Sequence, residues 1–476
     1  MIVDLDIDLP PKQEFDVCIA GAGPAGIILA KKLADSGYQV ALLEGGSEAY
    51  TQKSQDLYEC QSTARDMWPQ QTRLRYLGGT SNHWAGRCRP FDRSDFDRAE
   101  FGGLPGWPIN YAEIEPYLKE AMEILDLDSG DFKALNPPLK GNDFIADAFL
   151  KSPPTRFGQK YKSYLADSKN IICFLNANAS RLIIEGNGNT VTALKVVNYN
   201  NKQYDISSSV FILSMGAIEN ARFLLNHEEI SQQHEMLGKC FMEHLNIKLG
   251  EYILNDIDDV KRSYYTADHL SIDNKIGKSN LSFQSVKQIK SYGRTAKIKT
   301  FFKKLACDMS IEDKVQFIAD FECPGTGVIT TLTEQSPNKN SAVTLSEEKD
   351  NLGLKKAVIN WEISATDLKT INKMAIELAK SFADSDLGLV KLEEYILDQT
   401  KPFDISPHAH HMGSTRMASS IEHGVVDKDC KVFGTENLYI AGSSIFATAG
   451  ACNPTMPIIQ FGLRLVDHLK NKQLSA

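Results

Sequence analysis

The stretch Phe15-Asp16-Val17-Cys18-Ile19-Ala20-Gly21-Ala22-Gly23-Pro24-Ala25-Gly26 decides the fold. Val17 to Ala20 form an unbroken apolar run, the pattern of a strand buried on both faces of a parallel sheet. Gly21, Gly23 and Gly26 follow at G-x-G-x-x-G spacing, with Pro24 and Ala25 between, and Ile27 to Leu33 continue as a helix. Gly21 permits a tight turn, Gly23 lets a pyrophosphate approach the backbone, and Gly26 lets helix and strand pack closely. The helix N-terminus offers free N–H groups and a positive dipole end to phosphates. A second apolar strand, Val40 to Leu43, ends at Glu44, 23 residues beyond Gly21. A carboxylate there can accept hydrogen bonds from a ribose. Strand, helix, strand and acid in one register point to a dinucleotide site; an ordinary glycine turn has no need of Glu44.

Composition sets the frame. A chain of 476 residues can bury a large core and suggests two or three domains. Hydrophobic content of 42% and charged content of 24% fit a soluble globular protein. The net charge of −9 argues against a nucleic-acid partner. Nine scattered cysteines include no C-x-x-C, which predicts a reduced compartment and no metal site. Residues Met1 to Pro11 carry Asp4, Asp6 and Asp8 without a basic region, unlike a signal peptide. No apolar run reaches the roughly 18 residues of a membrane span, so a cytoplasmic location is expected.

Three further glycine-rich elements follow. The first, Arg73 to Gly86, contains Arg75, Gly78-Gly79-Thr80-Ser81-Asn82 and then His83-Trp84. Its small, donor-rich backbone suits a segment lying along a bound cofactor. The second is the run Val210 to Ala217, a buried strand ending at Gly216 that leads into a helix over 218–225. The third, Leu438 to Gly442, is another strand ending in glycine. Between these, 113–127 reads as a helix, and 180–184 with 191–197 reads as a hairpin beside the strand-like run 171–175. Residues 328–333, 342–345 and 356–361 resemble antiparallel strands, 367–382 has helical periodicity, and 287–304 is a basic, solvated face. The region from about 240 to 405 thus reads as a second domain on an antiparallel sheet. Toward the C-terminus, His408, His410 and His411 fall within four positions, and Asn453-Pro454-Thr455 opens a final helix, where proline is favoured in the first turn.

Taken together, Gly21 to Gly26, Gly78 to Trp84, His410 to Met417 and Asn453 to Thr455 resemble the glucose–methanol–choline (GMC) oxidoreductases over nearly the whole chain. The details look closest to pyranose 2-oxidase and related bacterial sugar, polyol and glycoside enzymes. The resemblance implies an α/β fold: a Rossmann-like FAD-binding domain with an inserted antiparallel-sheet substrate-binding domain. In these terms residues 1–100, 170–239 and 406–476 form the FAD-binding domain, 101–169 a covering segment, and 240–405 the substrate-binding domain. The first motif alone allows FAD or NAD; the family implies FAD. Carried over, the motifs assign cofactor contacts to Gly21, Gly23, Pro24, Ala25, Gly26, Glu44, Arg75, Gly79, Thr80, Ser81, Asn82, His83, Trp84, Gly216, Gly442, Pro454 and Thr455. His83 stands where pyranose 2-oxidase bonds its flavin covalently, although relatives with His-Trp also hold FAD without that bond. The catalytic base falls on His410, with His408 and His411 as rivals, and its partner on Asn453. The implied reaction is oxidation of a CH–OH group of a sugar, glycoside or cyclitol, with oxygen or a quinone-like acceptor and a homo-oligomer among the options. An apolar alcohol substrate, or flavin binding without turnover, are the competing readings.

Overall fold

The computed structural model describes residues 1–10, 14–65, 67–127, 139–146, 150–186, 188–255, 263–285, 326–398 and 400–474. The basic stretch 287–304 lies outside them.

The first motif folds as its pattern requires. Strand Phe15–Ala20 and strand Val40–Leu43 are almost wholly buried and pair in parallel, with Val17 opposite Val40 and Ala20 opposite Leu43. They sit at the centre of an eight-stranded sheet. Strands Ile171–Leu175 and Ile2–Asp4 extend it on one side, in parallel. Strand Gln203–Leu213 extends it on the other and does two jobs. Its second half pairs in parallel with Phe15–Ala20 and with Leu438–Ile440, while its first half joins the antiparallel hairpin Asn178–Ile184 and Val191–Val197. The run 171–175 therefore belongs to the parallel sheet and not to the neighbouring hairpin. Helix Pro24–Asp35 is buried nearly all round because it lies between this sheet and the final helix Thr455–His468.

A second, seven-stranded antiparallel sheet contains Leu245–Leu254, Thr326–Thr333, Ser279–Ser285, Ser263–Thr266 and Gly388–Leu392. Its strands alternate buried and exposed positions, the signature of a sheet covered on one face. Helix Ala365–Asp384 covers that face with Ile371, Met374, Leu378 and Phe382, and Phe382 stacks on Phe283. Ser364 caps the helix and Asp367 returns the bond, a capping box. Strand Phe144–Ala146, from the segment read as a covering element, also joins this sheet.

Two local expectations change. The strands Ala342–Lys349 and Lys355–Asn360 leave the large sheet and form a small one with Cys60–Ser62, which runs parallel to Lys355–Asn360. The helix expected over 113–127 breaks into turns Tyr111–Glu113 and Glu115–Tyr117 before helix Leu118–Ile124. Pro116 has no N–H to give to an α-helical ladder, so the chain re-initiates after it.

Candidate active site

The glycines of the first motif divide into two kinds. At Gly26 an added Cβ would lie 1.9 Å from the Gly21 carbonyl oxygen and 2.7 Å from Ser214 Oγ, so this glycine exists to let helix and strand touch. At Gly23 an added Cβ would meet nothing within 4 Å. The same open space lies beside Gly216 and Gly442, at φ +89° and +103°, although Gly442 is buried. Each of these three glycines ends or follows a strand of the same sheet. A hollow lined by backbone at three strand ends fits the pyrophosphate and ring of a dinucleotide.

Glu44 lies at the edge of that hollow, in a cavity it shares with Gly21, Gly45, Arg75, Met215 and Glu219. Its Oε1 accepts from the Gly46 amide at 2.8 Å and its Oε2 from the Ala22 amide at 3.2 Å. Burial raises its pKa, while the Gly46 amide, the Arg75 guanidinium and the Ala22 amide favour the carboxylate. Arg75 is braced by Ser54 Oγ at 3.1 Å and the Tyr199 hydroxyl at 3.0 Å. The Gly78–Gly79 turn is tied to the first motif, since the Gly78 amide donates to the Ala22 carbonyl and a Cβ on Gly79 would sit 3.4 Å from Gly23 Cα. Within that turn, Ser81, Asn82 and Trp84 spend their side chains on the loop itself: Ser81 Oγ donates to the Gly78 carbonyl, Asn82 Nδ2 to Leu77 and Trp84 Nε1 to Thr155. Thr80 Oγ1 accepts from the Leu74 amide, and His83 is exposed. Pro454 precedes the final helix and Thr455 begins it.

The histidine segment is held by two neighbours. On one side the amides of Gly413, Thr415 and Met417 donate to the carbonyls of Ser443, Ser444 and Ile445, which places the segment directly after Gly442. On the other it faces 242–245. Met242 pairs with Met412, and Leu245 with Pro407. Two residues, 243–244, therefore oppose four, 408–411, and the longer side bulges with Ala409 at φ +64°. The bulge leaves amides without ladder partners, and the fully buried Glu243 supplies the acceptors. Both its oxygens accept from the His410 amide, at 2.6 and 2.8 Å, and Oε1 also accepts from the His244 amide at 2.8 Å. Burial pushes Glu243 up to about 8 against the pull of these amides.

His410 projects from the bulge toward Asn453, whose Nδ2 lies 3.2 Å from His410 Nε2. Asn453 Oδ1 is buried and has no protein partner. The rivals are engaged elsewhere. His408 Nε2 lies 2.9 Å from the Thr331 carbonyl, and His411 Nε2 lies 3.4 Å from Thr72 Oγ1 and 3.7 Å from Glu243. Desolvation first, then the nearby imidazoles of His244, His408 and His411, hold His410 well below the usual histidine range. His410 Nδ1 meets His244 Nδ1 at 2.9 Å. His244 had no signal in the sequence beyond an acid–imidazole pair ahead of an alternating strand, because its contact spans 166 residues. Glu243, His244 and His410 bring donor atoms within 4.8 Å of one another. The Glu243 oxygens are already taken by amides and the two imidazoles by each other, which is the arrangement of a hydrogen-bonded cluster.

Residues 337–462 match the GMC oxidoreductase family. The chain is 21% identical to 2-methyl-1,2-propanediol dehydrogenase of Mycolicibacterium austroafricanum over 97% of the chain and 96% of that protein. It is 20% identical to the fructose dehydrogenase large subunit of Gluconobacter japonicus over 96% of the chain and 98% of that protein. Among solved structures, pyridoxine 4-oxidase from Mesorbium loti superposes with a TM-score of 0.62 at 14% identity, covering 97% of this chain and all of that one. A formate oxidase of Aspergillus oryzae RIB40, solved in work on its FAD modification, gives 0.55 at 17% identity, covering 98% and 99%. Among the described residues no helix is long and apolar enough to cross a membrane. Its C-terminal segment thus matches the GMC oxidoreductase family directly, its relatives align end to end at low identity, and its fold is shared with the solved oxidases.

Proposed function

We propose that the protein oxidises a CH–OH group of a sugar, glycoside or cyclitol to a carbonyl, with FAD as cofactor. The observation that carries this reading is the pair His410 Nε2 and Asn453 Nδ2, 3.2 Å apart, with the histidine segment bonded to the Ser443–Ile445 turn beside the open glycine cradle. Gly21, Gly23, Gly216 and Gly442 would line the FAD, Glu44 would hold its ribose, and the turn from Gly79 to Trp84 and the start of the final helix at Pro454 and Thr455 would border its ring. FAD supplies the hydride acceptor. The protein must then remove the hydroxyl proton, since hydride loss from a neutral alcohol leaves positive charge on carbon. His410, neutral at physiological pH, takes that proton at Nε2. Asn453 orients the hydroxyl and turns its unpaired Oδ1 toward it. The substrate class rests on the relatives: a diol dehydrogenase, a fructose dehydrogenase and aminoglycoside oxidases such as paromamine 6'-oxidase of Streptomyces fradiae.

His83, exposed on the cofactor turn, is the candidate for a covalent bond to the flavin. The seven described cysteines are all free and buried, which supports a reduced compartment such as the cytoplasm. The test is an anaerobic panel of sugars, glycosides, cyclitols and apolar alcohols, scored by bleaching of the flavin absorbance. Reoxidation by oxygen and by an artificial quinone, measured in parallel, identifies the acceptor. Bleaching by apolar alcohols alone would overturn the substrate class, and bleaching by none of the alcohols in a fully loaded protein would overturn the enzyme reading.

A further inference from the structure

The two imidazoles at the centre of the site form a directional chain, and its direction can be read from its fixed end. His244 is fully buried, and its Nε2 lies 2.8 Å from the Gly450 carbonyl. A carbonyl can only accept, so Nε2 carries the hydrogen. Burial holds the His244 pKa down to about 3, so the ring is neutral and its Nδ1 is a lone pair. His410 Nδ1, 2.9 Å away, must then be the donor, and the remaining nitrogen, Nε2, carries the lone pair that faces Asn453.

The Gly450 end cannot swing. Gly450 sits at φ +58°, an added Cβ would lie 2.6 Å from the Phe91 ring, and its amide donates to Glu334 Oε1 at 3.0 Å. Glu334 is fully buried and is itself held by the Arg98 guanidinium at 2.8 Å and the Lys278 amide at 3.0 Å. The two imidazoles meet edge to face, with ring planes at 87°, so the nitrogen–nitrogen line is set by packing on both sides.

We propose that His244 is a positioning residue that fixes the tautomer of His410, so that Nε2 is the unprotonated nitrogen facing the substrate. This rests on His410 being the base. Without His244, only the Asn453 amide, which can turn its oxygen toward the ring, opposes a hydrogen on Nε2, where the ring cannot accept a proton. With His244, the Nδ1–H of His410 keeps its acceptor as Nε2 becomes protonated, and the ring does not have to turn. The other groups facing His410 are Glu243, bonded to its backbone amide, His408 stacked at 5.8 Å, His411 beside it in sequence, and Asn453.

The test compares three variants with wild type and with His410→Ala, all loaded with FAD. Asparagine places its side-chain oxygen near the position of an imidazole Nδ1, so His244→Asn keeps an acceptor for His410. His244→Gln reaches toward the Nε2 position instead, and His244→Phe keeps the volume and removes both groups. Flavin reduction should slow about 10- to 100-fold in the Phe and Gln variants, the range for groups that orient an imidazole through its other nitrogen. His244→Asn should recover most of the rate. Nitrogen-15 spectra of histidine-labelled protein give a readout free of turnover: His410 Nε2 should be unprotonated in wild type and His244→Asn, and part-protonated in His244→Phe. Equal rates in all three variants, or a His410 Nε2 that stays unprotonated in His244→Phe, would overturn the proposal while a slow His410→Ala left the base assignment standing. A wild-type rate in His410→Ala would instead remove the base assignment.

Discussion

Replacing His410 with alanine separates the proposed base from everything that holds it in place. The variant removes Nε2 and leaves two former partners, His244 Nδ1 and Asn453 Nδ2. Each unpaired buried polar group costs about 1–3 kcal/mol. Water entering the vacated volume satisfies both, so the fold and the cofactor should survive. The backbone of the bulge survives too, because Glu243 grips the His410 amide and not its ring. The rate is another matter. General-base assistance is worth roughly 10²–10⁴-fold, about 3–5 kcal/mol of barrier. The sign of the pH dependence follows from burial and the neighbouring imidazoles, which hold His410 well below 6.5. The His410 imidazole is therefore unprotonated through neutral pH, so the rate should be flat there and fall only on the acid side as Nε2 protonates. In His410→Ala that acid limb should vanish, and the rate should climb toward alkaline pH as more substrate is ionised. The assay is anaerobic stopped-flow reduction of the flavin across pH, with His408→Ala and His411→Ala as controls. A wild-type reduction rate in His410→Ala, with a slow His408→Ala or His411→Ala, would move the base within the segment. Wild-type rates in all three would refute proton acceptance by this cluster.

Four other outcomes are expected. Gly23→Val should fold but purify without bound flavin, since a side chain there meets open space, whereas Gly26→Val should yield no folded protein, its Cβ lying 1.9 Å from a backbone oxygen; absorbance and circular dichroism decide both. Asn453→Ala should slow flavin reduction less than His410→Ala, because it removes orientation and not the proton acceptor, and the same stopped-flow assay ranks them. Acid-precipitated protein should stay yellow if His83 bonds the flavin, with His83→Ala then releasing it; a colourless wild-type pellet with FAD in the supernatant assigns non-covalent binding. Glu243→Leu should lower the unfolding temperature by leaving the bulge amides of His410 and His244 without acceptors, at about 1–3 kcal/mol for each amide that water does not reach, and thermal unfolding measures it.

What was legible in the sequence was what lies within one turn of its own cause. Gly21, Gly23 and Gly26 declare themselves because strand, turn and helix are contiguous, and Glu44 follows at the distance one helix requires. The buried run Val40–Leu43 and the strand-like run 328–333 separate the two-faced parallel sheet from the one-faced antiparallel one for the same reason. The histidine segment showed its chemistry, yet three imidazoles in four positions are equivalent until something outside the segment chooses among them. That choice is made by a mismatch, two residues opposite four, which turns Ala409 left-handed and presents His410 to Asn453 while His408 and His411 bond to other neighbours. The mismatch is a property of the pairing between 242–245 and 407–412, and neither strand carries it alone. His244 was hidden on the same ground. Its partners are Gly450 and His410, 206 and 166 residues away, and no spacing rule connects them. The glycines proposed to hold the cofactor are therefore readable in this chain from local pattern, whereas the tautomer proposed for His410 depends on a tertiary contact. Substitutions at Gly23, Gly216 and Gly442 should act through cofactor occupancy, and substitutions at His410, His244 and Asn453 should act through rate at full occupancy.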